Sequence, residues 1–165
     1  MRKLTGREKI TEAGLCVMDY WQWAHSDIVC NTERAAFAEF LVHSAVNGVE
    51  DIRTNWTEYD VLTPGGIKIE VKSSGYLQSW EQKELSRIKF DIHQRCSDFY
   101  VFCLHKHTER ESMNILDLSQ WTFFVMRTST LNEKVGGQNE ISLNRLLELG
   151  AMETDYHHLK EFTGE

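Results

Sequence analysis

The sequence has 165 residues, a formal net charge of −7, 41% hydrophobic residues and 11% aromatic residues. These values are typical of one globular domain spanning residues 1–165, and they exclude an intrinsically disordered chain. An acidic chain of this kind does not coat nucleic acid or an anionic membrane over its whole surface.

Targeting and redox features predict a cytoplasmic protein. The first residues lack the apolar core of a secretory signal, and no window approaches the roughly 20 apolar residues that span a bilayer. The four cysteines form no C-x-x-C pair and no dense disulfide spacing. We therefore expect reduced thiols and no membrane partner.

Two helices are predicted in the first third of the sequence. Apolar and aromatic residues at mixed spacings between positions 18 and 30 predict a helix buried over much of its circumference. Asn31 or Thr32 can cap the next helix, because their side-chain oxygens accept from its first free N–H groups. Three-and-four spacing defines its apolar face, and Gly48 is expected to end it. That face consists of Phe37, Phe40, Leu41, Ser44 and Ala45.

The pattern then changes to the alternation of strands. Residues 56–62 and 67–72 are predicted to form a β-hairpin across residues 63–66, where Pro64 fixes one φ angle and the glycines permit a positive one. The second strand alternates apolar residues on one face with Lys68, Glu70 and Lys72 on the other.

Further strands and a helix are predicted downstream. Ile88, Phe90 and Ile92 alternate, residues 99–104 form the continuous apolar run of a central strand, and residues 121–126 predict another strand. A helix near residues 142–149 is expected to end at Gly150. This order predicts an α/β fold with a mixed central sheet flanked by helices.

Acidic residues of the hairpin predict a metal site. Closing the hairpin brings Asp60 beside Glu70, and Glu39 can project from the adjacent helix. Carboxylates this close raise one another's pKa unless a cation lies between them. Oxygen ligands favour Mg²⁺ first and Mn²⁺ second. Lys72 lies on the same face, where its ammonium group could orient a water or neutralise charge on a phosphate.

A Lys-Glu-Lys alternation also fits a solvated strand face with cross-strand ion pairs. The combination favours a site: a helix acid, a strand acid, a short turn, Glu-x-Lys and then Ser73-Ser74. The two serines are expected either to hydrogen-bond phosphate or to end the strand.

Asp60 followed by Glu70-Val71-Lys72 resembles the core motif of the PD-(D/E)xK nuclease superfamily. The resemblance covers about residues 31–104, although Tyr59 stands where the motif has proline. It implies a restriction-endonuclease-like core and hydrolysis of phosphodiester bonds. It also implies that Asp60, Glu70 and the Val71 carbonyl hold one or two Mg²⁺ (or Mn²⁺) ions.

The resemblance implies positions for the remaining site residues as well. Glu39 corresponds to the acid of the first core helix and would act directly or through a metal-bound water. Lys72 would position the attacking water or contact the scissile phosphate. Gln78 matches a glutamine that follows the motif in some branches, and would orient Lys72, the water or the substrate backbone.

Charge and aromatic residues near the motif are compatible with a nucleic-acid partner. Residues 66–95, which include Lys68, carry +2, whereas residues 139–165 carry −4. Tyr76 and Trp80 could stack on exposed bases or pack in the core.

The sequence therefore favours a metal-dependent nuclease that acts on DNA in defence, restriction or repair. Two alternatives remain: a catalytically silent binding module of the same fold, and an α/β interaction protein whose Glu-x-Lys is accidental. The choices between DNA and RNA and between endonuclease and exonuclease stay open. Cutting both strands or recognising a sequence would call for a homodimer or a partner subunit.

Overall fold

The computed structural model describes residues 2–49, 52–54, 57–93 and 96–162. The strands are β1 (Lys9–Ile10), β2 (Leu15–Cys16), β3 (Val61–Leu62), β4 (Lys68–Gly75), β5 (Lys89–Asp91), β6 (Phe99–His105), β7 (Trp121–Arg127), β8 (Glu140–Ser142) and β9 (Met152–Thr154). The helices are α1 (Val17–His25), α2 (Asn31–Ala45), α3 (Thr128–Val135), α4 (Leu143–Glu148) and α5 (Leu159–Phe162).

The predicted fold class is confirmed, because helices flank a mixed five-stranded sheet of the described residues. Its strand order is β3-β4-β6-β7-β9. β4 and β6 run parallel, and the other neighbouring strands run antiparallel. β6 lies at the centre, and all of its residues are buried, as its continuous apolar run predicts.

An apolar cluster covers each face of this sheet. The first cluster joins α2 to alternate strand residues such as Ile69 and Val101. The second joins the intervening residues, such as Tyr100 and Phe102, to Phe90 of β5. Because side chains alternate along a strand, the two clusters bury both faces of β6.

The outer edge of β4 is only partly covered. Val61 pairs with Ile69 and Leu62 with Lys68, whereas β4 continues to Gly75. The connecting turn closes tightly, because the Gly66 N–H donates to the Thr63 carbonyl at 2.9 Å with Gly66 at φ +83°. Beyond these pairs, no other described strand covers the outer edge of β4.

Several elements differ from the sequence prediction. α1 contains no buried residue, and Trp23 is 85% exposed, so the prediction of a largely enclosed helix is wrong. The strand predicted over residues 56–62 is reduced to β3, and Trp56 lies outside the described residues. No helix of the described ranges is both long enough and apolar enough to cross a membrane.

The predicted capping residue and the predicted buried face of α2 are also wrong. Cys30 is the N-cap residue and no side chain caps the helix, so neither Asn31 nor Thr32 does so. The predicted face included Phe40, which is 60% exposed. The buried residues of the helix are Arg34, Ala38, Leu41 and Val42. The buried face is therefore rotated and includes a charged residue.

Candidate active site

The hairpin fixes Asp60 at the edge of β4. Asp60 directly precedes β3, and the register of the hairpin continues to place it opposite Glu70. The Asp60 N–H donates to the Ile69 carbonyl at 3.0 Å. The Val71 N–H in turn donates to Oδ2 of Asp60 at 2.8 Å. The carboxylate of Asp60 thus takes the place of a strand carbonyl where β3 begins.

Glu70 and Lys72 form an ion pair on the neighbouring strand. Nζ of Lys72 donates to Oε1 of Glu70 at 2.6 Å. Glu70 is only 4% exposed, so a solvated strand face does not describe it. Burial lowers the pKa of Lys72, but the hydrogen bond and charge of Glu70, with the charges of Asp60 and Asp91, outweigh it and raise the pKa overall. Lys72 is therefore a cation at neutral pH.

The surroundings of the Asp60 carboxyl disfavour its ionised form. Burial and then the charge of Glu70 raise the pKa of Asp60 to about 6, with a smaller contribution from Glu39. The Val71 N–H and Lys72 act in the opposite direction. No ion pair joins Asp60 to a basic side chain within the described ranges. A bound cation would relieve this repulsion.

Glu39 of α2 lines the groove together with Asp60. Arg53 holds both of its carboxylate oxygens, with Nη2 of Arg53 donating to Oε1 at 2.8 Å and Nε donating to Oε2. The charges of Asp60 and Glu39 interact, so the helix acid does belong to the neighbourhood of Asp60. Its direct contact is nevertheless with Arg53.

The donor chemistry of this cluster fits a hard divalent cation. Asp60, Glu70 and Glu39 supply oxygen atoms, and their mutual repulsion is visible in the raised pKa of Asp60. Among the residues that the structure describes, no three histidine, cysteine, aspartate or glutamate side chains form a ready-made metal cluster. Glu70 and Glu39 are instead held by Lys72 and Arg53. The metal ligands therefore stay a prediction.

A groove of about 550 Å³ follows the open edge of β4. Residues 71–74 form its floor, the start of α2 forms one wall, and side chains from residues 78–91 form the other. Asp60, Lys72 and Glu39 all line it, as do Ser73 and Ser74. The groove thus brings together Asp60, Glu39, Lys72 and both serines, whereas Glu70 is buried and is not among the residues that line it.

Two of the remaining predicted substrate contacts, Lys68 and Tyr76, are not among the residues that line this groove. Lys68 lies 3.7 Å from Glu58 and over the ring of Tyr59, 5.5 Å from its centroid. Tyr76 packs against the second apolar cluster. Trp80, by contrast, is 55% exposed and lines the groove. Of the two aromatic residues, Trp80 is the one available for stacking.

Gln78 lies in the groove wall but contacts different groups from those predicted. Its Nε2 donates to the Gly75 carbonyl at 3.1 Å and to Oγ of Ser86 at 3.0 Å. Its Oε1 accepts from Nη1 of Arg34 at 3.4 Å. No hydrogen bond joins Gln78 to Lys72 in the described part of the chain. Gln78 therefore positions Arg34 and its own loop.

Arg34 is the groove residue that the sequence reasoning missed. It is 3% exposed, although it carries a charge and lies in the first turn of α2. A signal existed in the spacing, because Arg34 precedes the buried Ala38 and Leu41 by four and seven residues, on one helix face. The apolar pattern alone favoured a face without an arginine.

A second cavity of about 410 Å³ lies beside the groove and shares Glu39 and Asp60 with it. Phe40, His43 and Tyr59 line this cavity. The two acids therefore stand between two concave surfaces.

Comparison with known families gives a match over this region. Residues 5–127 match the family model described as Bacteriophage T4 endonuclease IV. The match covers about three quarters of the chain and ends at the last residue of β7. It therefore includes α2, the hairpin and the candidate site residues. No curated protein matches the chain.

Proposed function

The chain belongs to the bacteriophage T4 endonuclease IV family, and on that premise we propose that it is a metal-dependent endonuclease that hydrolyses phosphodiester bonds of DNA. We place the reaction in the groove along β4 and assign the site to the PD-(D/E)xK type. The observation that carries the proposal is the meeting of Asp60 with the Glu70–Lys72 pair at the open strand edge.

In this proposal the acids hold Mg²⁺ or Mn²⁺. Asp60, Glu70 and the Val71 carbonyl would be ligands, and Glu39 would contribute directly or through water. The ion would lower the pKa of a bound water and stabilise charge developing on the phosphoryl oxygens. The raised pKa of Asp60 supports this assignment, because burial and the charge of Glu70 disfavour its ionised form, and a cation bound beside these carboxylates would offset that cost.

The chain's own groups position the substrate. Lys72 lies at the groove floor as a permanent cation, so it attracts the scissile phosphate and stabilises the charge that develops on it. Ser73 and Ser74 continue the floor and can donate hydroxyl hydrogen bonds to the adjoining backbone. The partial burial of the Glu70–Lys72 pair strengthens its electrostatic effect relative to an exposed pair.

The test is DNA cleavage by the purified chain. Plasmid, linear duplex and single-stranded DNA are incubated with Mg²⁺, Mn²⁺ or EDTA. We expect cleavage with metal, none in EDTA, and loss in the Asp60→Asn and Lys72→Met variants. Glu148→Gln serves as a matched control, because Glu148 is an exposed carboxylate that does not line the groove.

Two outcomes would contradict the proposal. Cleavage that survives both Asp60→Asn and Lys72→Met would place the reaction elsewhere. DNA binding without cleavage under any metal condition would favour the catalytically silent module of this fold.

For duplex substrates we further propose a second copy or a partner subunit. One site cuts one strand, so cutting both strands needs two sites or two binding events. Sedimentation velocity with and without duplex DNA tests this: a dimer on duplex DNA is expected, and a monomer that makes only nicks would contradict it.

A further inference from the structure

A buried cation lies at the end of the groove, away from the acids. Arg34 is 3% exposed and lines the groove. No carboxylate pairs with it among the described residues, unlike Lys72 and Arg53. A buried charge without a counter-charge is costly, so its retention points to an anion that arrives from outside.

The guanidinium group also has unused hydrogen-bond donors. Arginine has five N–H groups. Nη1 donates to the Val29 carbonyl at 3.0 Å and to Gln78, and Nη2 donates to Asn31. Nε is buried and has no hydrogen-bond partner in the described ranges. The Nε N–H and one Nη2 N–H therefore have no acceptor among the described residues; Nε is closed to solvent, so a phosphate would contact the guanidinium group at its Nη atoms.

The helix that carries Arg34 adds to this positive field. Arg34 lies in the first turn of α2, a helix of 15 residues. The N-cap residue makes no side-chain capping bond, so the first N–H groups keep their partial positive charge; the one acid of this turn, Glu33, contacts His25 at 3.0 Å. Asn31 and Arg34 place this helix end in the wall of the groove. An uncapped helix start and an unpaired arginine thus face the same space.

The position relative to the acids identifies the anion. Glu39 follows Arg34 by five residues on α2, or about 7.5 Å along the helix axis. Five residues also turn the helix by about 140°, so Arg34 and Glu39 line the groove at separate positions. We propose that Arg34 and the start of α2 bind a backbone phosphate of the DNA next to the phosphate that is cut. This inference rests on the proposed nuclease function for the identity of the ligand.

The test measures DNA affinity in EDTA, where binding is separated from cleavage. Fluorescence anisotropy with a labelled oligonucleotide gives Kd over a range of salt concentrations. Arg34→Met is expected to weaken binding about tenfold. It should also reduce the slope of log K against log salt by about 0.7 for a single strand or 0.9 for a duplex. Arg34→Lys should keep the slope, because it keeps the charge.

A matched control removes the same charge elsewhere. Arg145 of α4 pairs with Glu148 on the surface and does not line the groove. Arg145→Met should leave both affinity and slope unchanged. Where Arg34→Met does not fold, Arg34→Met/Gln78→Leu removes the buried acceptor together with its donor and serves instead.

The outcomes separate this inference from the nuclease proposal. Unchanged affinity and slope in the methionine variants would overturn the phosphate site, even if the wild type cleaves DNA. Arg34-dependent binding without cleavage would support the phosphate site and overturn only the nuclease. If inorganic phosphate raises Tm in an Arg34-dependent manner but DNA binding does not depend on Arg34, the site binds free phosphate and the DNA assignment is wrong.

Discussion

The two ends of the groove carry unrelieved charge of opposite sign. At one end, burial and Glu70 raise the pKa of Asp60 to about 6. At the other end, Arg34 is buried without a carboxylate partner in the described part of the chain, and burial lowers its pKa. Residues of α2 and of the edge of β4 line the groove at both ends. Even so, no ion pair joins Arg34 to Asp60.

This contrast distinguishes charged groups that stabilise the fold from charged groups that are suited to bind a ligand. A chain shaped for stability alone gains by pairing opposite charges or by replacing them with apolar side chains. Here the excess negative charge fits a metal ion, and the excess positive charge fits a phosphate. The net charge of −7 conceals this arrangement, because it averages over both ends and over the acidic C-terminal residues.

Removing Lys72 should have the largest effect on stability, because it leaves Glu70 buried without its partner. We expect Lys72→Met to lower the free energy of unfolding in EDTA by about 3 kcal/mol, since breaking a buried pair strands a charge. DNA cleavage should fall about 10²- to 10³-fold, the usual cost of losing one group that stabilises developing charge. Urea unfolding and a nicking assay measure the two effects.

Two further variants test the cause of that loss. Glu70→Gln/Lys72→Met should be more stable than Lys72→Met alone, because no buried charge is stranded. Lys89→Met breaks an exposed pair with Glu140 and should cost less than about 1 kcal/mol. Equal losses in Lys72→Met and Lys89→Met would show that the Glu70–Lys72 pair is not effectively buried.

Neutralising Asp60 should have the opposite effect on stability. The folded pKa of Asp60, about 6, is above its ordinary value of 3.8, so the folded state binds this proton more tightly. The stabilisation is complete below about pH 4 and is lost as the pH rises through 6. Asp60→Asn should therefore stabilise the protein in EDTA at pH 7 by about 2–3 kcal/mol, while abolishing cleavage.

The pH dependence provides the control for this prediction. The advantage of Asp60→Asn should shrink as urea unfolding is repeated from pH 7 down to pH 4. Asp91→Asn, at an exposed carboxylate, should stay within about 0.5 kcal/mol of the wild type throughout. An Asp60→Asn variant less stable than the wild type at pH 7 would mean that its carboxylate is already compensated.

Replacing Trp80 tests whether the bases of a bound DNA strand stack on the groove. Because Trp80 is exposed in the groove, Trp80→Ala should weaken single-stranded DNA binding by about 1–2 kcal/mol without lowering Tm. Trp23→Ala removes an even more exposed indole from α1, outside the groove, and should change neither quantity. Equal losses of affinity in both variants would point to nonspecific contact with exposed aromatic residues.

The central sheet was predictable from sequence because local chemistry dictates it. Residues 99–104 are uniformly apolar since β6 is covered on both faces, and the Pro-Gly-Gly turn sets the hairpin. The exposure of α1 was not predictable in this way. Its apolar residues have the composition of a buried helix, and only the absence of a packing partner among the described elements leaves Trp23 in solvent.

The candidate site likewise has features that follow from local sequence and features that depend on long-range contacts. The proximity of Asp60 and Glu70 follows from the turn length, which is a local property. The burial of Glu70 depends on the second apolar cluster. The burial of Arg34 depends on Gln78, which is 44 residues away from it in the sequence. Such long-range contacts leave no periodic signal, so the negative end of the groove was visible in the sequence and the positive end was not.

The smallest predicted effect concerns Arg53, which compensates the negative end. The pair of Arg53 with Glu39 lies near the surface, so Arg53→Met should cost less than about 1 kcal/mol of stability in EDTA. The variant releases the Glu39 carboxylate beside Asp60 and makes this end more negative. Mg²⁺ should then raise Tm more in Arg53→Met than in the wild type, as thermal unfolding with and without the ion would measure.

Arg145→Met, which breaks the Glu148 pair outside the groove, should respond to Mg²⁺ like the wild type. A smaller Mg²⁺ shift in Arg53→Met would mean that Arg53 orients Glu39 for the metal, so that geometry at this end outweighs charge.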